Sequence, residues 1–151
     1  MTRDEILDMP AGYEMNKLIA INVMGWTLVN NHGAAGGKFW IGHGGSFGDM
    51  PERYLPDFSN EIAPAFSVVE KINLMICENI LEIENDYNYL TLECVGFTSG
   101  YAASFDCLLD HEWFEDITNY KYAARAETAP LAICRAALLA VQNASPTHDL
   151  P

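Results

Sequence analysis

The residue types that could do chemistry gather in two stretches of the chain. The first runs from His32 to Gly48, HGAAGGKFWIGHGGSFG, and holds seven of the eleven glycines. Its centre, Gly42-His43-Gly44-Gly45-Ser46-Phe47-Gly48, resembles a phosphate-binding turn. A dinucleotide fingerprint, however, lies between a strand and a helix N-terminus, where backbone N–H groups and the helix dipole hold the phosphates. Here Asp49, Met50 and Pro51 follow with no helical pattern. A P-loop needs Gly-Lys-Ser/Thr, and Gly37-Lys38 is followed by Phe39. What remains is a glycine-rich segment able to approach a ligand closely, with rings and cations beside it. Phe39, Trp40 and Phe47 could stack on a ligand ring, and Lys38, His43 and Arg53 could hold its negative charge. The segment is therefore either a ligand-covering flap or a plain hairpin extension.

The second stretch is acidic. Between Lys71 and Lys121 there is no lysine or arginine, while ten acids lie there with one histidine. A solvated, solubilising surface accounts for such a run. So does a face that mimics the phosphates of nucleic acid and occupies a basic cleft on a host protein. In that case Glu112, Glu115 and Asp116 would supply charge, and Trp113 and Phe114 would be the anchors. Asp106, Asp110, His111, Glu112 and Glu115 could ligate a metal, yet neither HExxH nor EF-hand spacing is present, so no metal is expected. Nucleophilic catalysis has no support either: GxSxG is absent, and no Cys or Ser has an activating context. Arg125, near Tyr120 and Tyr122, could clamp an anionic ligand by a bidentate contact. Arg135, on an apolar helix, would be expected to pair with an acid across the fold.

The elements that must position these residues follow from periodicity and caps. Thr2 and Glu5 form a capping box. Pro10 suits the first turn of a helix whose apolar stripe, from Met15 to Val23, stops at Gly25. Strands are expected over Trp26–Asn30 and Lys38–Ile41, then an irregular connection over 49–58. A second long helix is expected from an N-cap at Ser59 or Asn60 to an end between Leu81 and Asp86. Two strands, Tyr87–Gly96 and Tyr101–Leu108, form an antiparallel hairpin. A last strand, Tyr120–Ala126, precedes a helix capped by Thr128. This order predicts an α+β fold: a mostly antiparallel sheet of about five strands covered by three helices in an α-β-α layered sandwich. Residues 1–143 would form a single domain and 144–151 a loose tail.

Composition agrees with a folded, acidic chain. Its 151 residues are half apolar, and 8 basic against 21 acidic residues give a net charge of −13. Such a charge opposes binding to nucleic acid or anionic membrane. No apolar run approaches the roughly 20 residues of a membrane span, and MTRDEILDM is not a secretory leader. Cys77, Cys94, Cys107 and Cys134 include no CxxC pair, so they are expected to be small buried residues of a cytoplasmic protein.

Three segments carry a family resemblance. They are the opening MTRDEIL with the helix end VMGW (Val23–Trp26), FSNEIAPAFSVVEKI (Phe58–Ile72) and ETAPLAICRAALLAV (Glu127–Val141). In this order the chain resembles the phage ABA-sandwich family of small phage and prophage proteins. The resemblance implies an α-β-α layered fold and a phage origin, and it brings no catalytic residues. The glycine-rich segment from His32 to Gly48 and the acidic segment from Asp106 to Asp116 depart from the family pattern.

The expected function is a non-enzymatic phage accessory protein acting in counter-defence in the cytoplasm of the infected bacterium. It would sequester a nucleotide-derived immune signal through Lys38, Phe39, Trp40, His43, Phe47, Arg53 and Arg125, with no cofactor and as a possible homo-oligomer. The alternatives are an acidic inhibitor of a basic host protein, acting through residues 112–116, and a nucleotide-degrading enzyme.

Overall fold

A computed structural model describes residues 1–31, 37–42, 50–78, 91–94, 100–105 and 122–143. Helix α1 (Arg3–Asp8) opens as the capping box predicts. Thr2 Oγ1 accepts from the Glu5 N–H at 3.2 Å, and Glu5 Oε2 accepts from the Thr2 N–H at 2.6 Å. Helix α2 (Tyr13–Leu18) starts later than the expected Pro10. Its N-cap is Gly12, whose N–H is held by Ser59 Oγ at 2.9 Å. The helix widens into a π turn at Ile19–Val23, where the Met24 N–H reaches Ile19 O at 3.0 Å. It stops at Gly25, and the Trp26 N–H bonds back to Ala20 O at 2.8 Å.

The first sheet is antiparallel in the order β1 (Thr27–Asn31), β2 (Gly37–Ile41) and β3 (Met50–Pro51). Trp40 stands opposite Leu28 on one side and Met50 on the other. The β1–β2 hairpin matches expectation within a residue. The short β3 does not, because it lies in the segment expected to be irregular. It leads into a 3-10 turn at Glu52–Tyr54.

Helix α3 (Ile62–Cys77) takes Glu61 as its N-cap rather than Ser59 or Asn60. Ser59 is committed elsewhere: its Oγ holds Gly12, and its N–H bonds to Asn16 Oδ1 at 2.9 Å. Pro64 falls in the first turn, where its missing N–H would have had no helical partner. The helix ends at Cys77, short of the expected 81–86, because Ile76 is its last buried position and Cys77 and Glu78 are exposed.

The second sheet is antiparallel in the order β4 (Thr91–Cys94), β5 (Tyr101–Ser104) and β6 (Ala123–Ala126). Tyr101 pairs with both Cys94 and Ala126. β5 ends at Ser104 and β6 starts at Ala123, both inside the expected spans, and positions 87–90, 95–96, 106–108 and 120–121 of those spans lie outside the described residues. Thr128 O accepts from the Ala132 N–H at 3.0 Å and opens α4 (Ala129–Asn143). The expected tail, 144–151, also lies outside the described residues.

The fold is therefore α+β and antiparallel, but it is not a single sheet of about five strands under three helices. Among the described residues there are two sheets of three strands each. Each pairs within its own part of the chain, and α3 with its proline-bearing approach separates them. The helices also gather differently. From Pro130 to Ala140 every residue of α4 except Arg135 is buried, as suits a helix apolar on all faces. It packs along β5 and β6, and α1, the π turn and α3 pack against it. Both partners of this contact are rich in alanine: Ala132, Ala136, Ala137 and Ala140 on the helix, Ala103, Ala124 and Ala126 on the strands. Small side chains allow helix and sheet to approach closely.

Arg135 does not form the ion pair expected of it. Its Nη1 donates to Arg125 O and its Nη2 to Met9 O, both at 2.8 Å. Burial pushes its pKa down, opposed by the charges of Asp8 and Glu127. One hydrophobic cluster draws buried residues from both sheets and from all four described helices. Among the described residues no helix is long and apolar enough to cross a membrane.

Candidate binding site

The described residues among those expected to bind one ligand do not line one cavity. Lys38 is exposed, with its Nζ 4.0 Å from Glu52 Oε1. Phe39 is half-buried and, by strand alternation, points to the opposite face of β2 from Trp40. Arg53 lies in the 3-10 turn with its guanidinium 4.8 Å from the Tyr54 ring centroid. It borders a shallow cleft with Tyr13, Asn16, Glu52 and Asp57. In that cleft the Tyr13 hydroxyl donates to Glu52 Oε1 at 2.5 Å, which holds the phenol protonated and pushes its pKa up to about 12.

Arg125 stands apart, in β6 of the second sheet, half-buried. Its Nε and Nη2 are buried without a hydrogen-bond partner among the described residues. These two donors share one edge of the guanidinium, the edge that a carboxylate or phosphate would grip. His43 and Phe47 lie outside the described residues, as do Glu112, Trp113, Phe114, Glu115 and Asp116. The other metal-ligand candidates, Asp106, Asp110 and His111, lie outside them too, and no metal-holding group of His, Cys, Asp and Glu occurs among the described residues. Cys134 is buried as expected, with its Sγ donating to Phe58 O at 3.3 Å, and burial pushes its thiol pKa up. Cys77, by contrast, is exposed at the end of α3.

Trp40 leads to the best-formed site. It is 1% exposed and lines a cavity of about 290 Å³ between the first sheet, the π turn and the start of α3. Met24 and Trp26 enter from the end of the π turn, and Gly42 and Met50 flank the sheet. Pro56 and Phe58 come from the approach to α3, and Pro64 and Ser67 from its first turns. Among the described residues the wall carries aromatic rings, two thioethers and prolines, with no ionisable side chain. Trp26 and Phe58 pack tilted, with centroids 5.9 Å apart at 59°, a favourable aromatic geometry.

One hydroxyl interrupts the apolar wall among the described residues: Ser67 Oγ donates to Pro64 O at 2.6 Å, which leaves its oxygen able to accept. Trp40 Nε1 is buried with no hydrogen-bond partner among the described residues, and an unsatisfied buried donor costs about 1–3 kcal/mol. The absence of a side chain at Gly42 is also part of the geometry. Extending the β1–β2 register by one pair puts Trp26 opposite Gly42, and a Cβ there would meet Trp26 Nε1 at 3.3 Å. The indole thus passes over a residue that must stay small.

Sequence reasoning singled out Trp40 and missed Met24, Trp26, Met50 and Phe58. A signal for Trp26 was available, since it follows the helix stop at Gly25 and opens the strand that pairs with Trp40. Phe58 had none, because only the tertiary fold brings it to the hairpin.

No curated protein and no solved structure matches the chain. A family model, Phage ABA sandwich domain, matches residues 17–138. That span runs from the end of α2 into α4 and contains every residue of the cavity wall. The chain accordingly belongs to the phage ABA sandwich domain family.

Proposed function

We propose that this phage protein is a non-enzymatic accessory protein that captures a small molecule in the Trp26–Trp40 cavity. In counter-defence, that molecule would be a nucleotide-derived immune signal held intact. The observation that supports this reading is the cavity itself, whose rings and thioethers suit the holding of a flat group. Lys38 supports it as well, two residues from Trp40 on the same face of β2, about 7 Å along the strand at ordinary strand rise. A base in the cavity would leave its phosphates outside the wall, on the side of such a cation.

The test is native mass spectrometry of protein purified from phage-challenged cells. An added mass of a few hundred daltons per site, released unchanged on denaturation, is the expected result, and the spectrum reports subunit number as well. A ligand released in cleaved form would replace this reading with a nucleotide-degrading enzyme. A bare protein that pulls down a basic host protein in a salt-sensitive way would replace it with the acidic-surface inhibitor.

A further inference from the structure

We infer that the cavity is a ring-recognition site that takes an uncharged, planar, two-ring group, and leaves any charged part of its ligand outside. This rests on the proposal that the protein captures a small molecule, and it specifies what the captured molecule must present.

Size comes first. An apolar protein cavity of about 150 Å³ holds benzene. The cavity here, about 290 Å³, is nearly twice that and has room for two fused rings. Wall chemistry comes second. Trp26, Trp40 and Phe58 offer faces and edges for stacking, and Met24 and Met50 are flexible enough to adjust to a ring's outline. No described side chain of the wall could balance a charge, and a charge brought unpaired into such surroundings is strongly disfavoured. A side chain at Gly42 would press on the Trp26 indole, since a Cβ there would lie 3.3 Å from its Nε1.

Three probes of similar outline test this by calorimetry and tryptophan fluorescence. Quinoline is neutral with one acceptor, naphthalene has none, and quinoline-2-carboxylate is charged. Quinoline is expected to bind saturably at one site per chain. Naphthalene should bind at the same site, and the carboxylate at least roughly tenfold more weakly than quinoline. Gly42→Val narrows the cavity from the sheet side and Ser67→Leu from the α3 side, and either folded variant should lose quinoline binding.

Unsaturable quinoline binding to the wild-type protein overturns the inference, as does undiminished affinity in both narrowed variants. Quinoline-2-carboxylate binding as tightly as quinoline overturns the exclusion of charge. A cellular ligand retained equally by wild type and Ser67→Leu would leave small-molecule capture standing and place it elsewhere. Quinoline binding as expected, with no ligand retained from challenged cells, would leave the ring site standing and defeat the capture proposal.

Discussion

A single methyl group at Gly100 tests how tightly β5 is tied to β6. Gly100 has φ +84°, and a Cβ there would lie 2.2 Å from Ala126 O. Both the left-handed backbone and the clash oppose a side chain. Gly100→Ala is expected to cost at least about 2 kcal/mol in urea unfolding. Tyr13 gives a second test at this scale. Its hydrogen bond to Glu52 raises the pKa from 10.0 to about 12 in the folded chain. The stability it contributes is therefore complete below pH 10 and lost as the pH rises toward 12. In an ultraviolet titration of the seven tyrosines, one should ionise late, and Glu52→Gln should abolish that delay. Residues of this kind were only partly legible in the sequence. The Thr2–Glu5 box is local and was read directly. The Tyr13–Glu52 bond spans 39 positions and exists only because the 3-10 turn is folded back beside α2.

Elements meet through a few polar ties as well as through the core. Asn16 on α2 donates to Asp57 Oδ1 at 2.8 Å and accepts from the Ser59 N–H, fastening the approach of α3 to α2. Arg135 fastens α4 to the end of β6 and to the α1–α2 connection through two backbone carbonyls. Each such charge-assisted bond contributes about 1.5–3 kcal/mol. Arg135→Met should therefore destabilise by about 3 kcal/mol in urea unfolding, and Arg135→Lys, which lacks the planar fork, should recover only part of it. Periodicity located every long helix, because apolar spacing and caps are local properties. It misjudged where α2 and α3 start, since Ser59 and Gly12 spend their hydrogen bonds on each other, and it placed the start of α4 correctly. It could not see β3, because two residues with a proline show no alternation. The division into two sheets was equally hidden, because pairing choice depends on how α3 places the two hairpins. The burial of α4 was legible in principle: Leu131 to Leu139 is apolar on every face save Arg135.

At the scale of the whole molecule, the net charge of −13 sets the balance. Self-repulsion among so many acids opposes compactness, and salt screens it. The melting temperature should rise as sodium chloride goes from low to near-molar concentration, followed by calorimetry. A flat or falling response would mean that local pairing already balances the charge. At this scale composition and family were legible in the sequence, and the cavity was not. Trp40 could be singled out as an aromatic beside glycine, whereas Met24, Trp26, Met50 and Phe58 become neighbours only when hairpin, π turn and α3 have docked.

The central place of α4 has a consequence for how the chain comes into being. Synthesis proceeds from the N-terminus, and domains ordinarily fold as the chain emerges. Here the described element that leaves the ribosome last is the one against which α1, the π turn, α3, β5 and β6 all rest. Until Ala129–Asn143 is delivered, α1, the π turn, α3 and the β5–β6 pair expose the apolar surfaces meant for it. The nascent chain is thus at its most vulnerable to chaperones and proteases before α4 emerges, and its native shape is reached by threading a late keystone into a waiting vault.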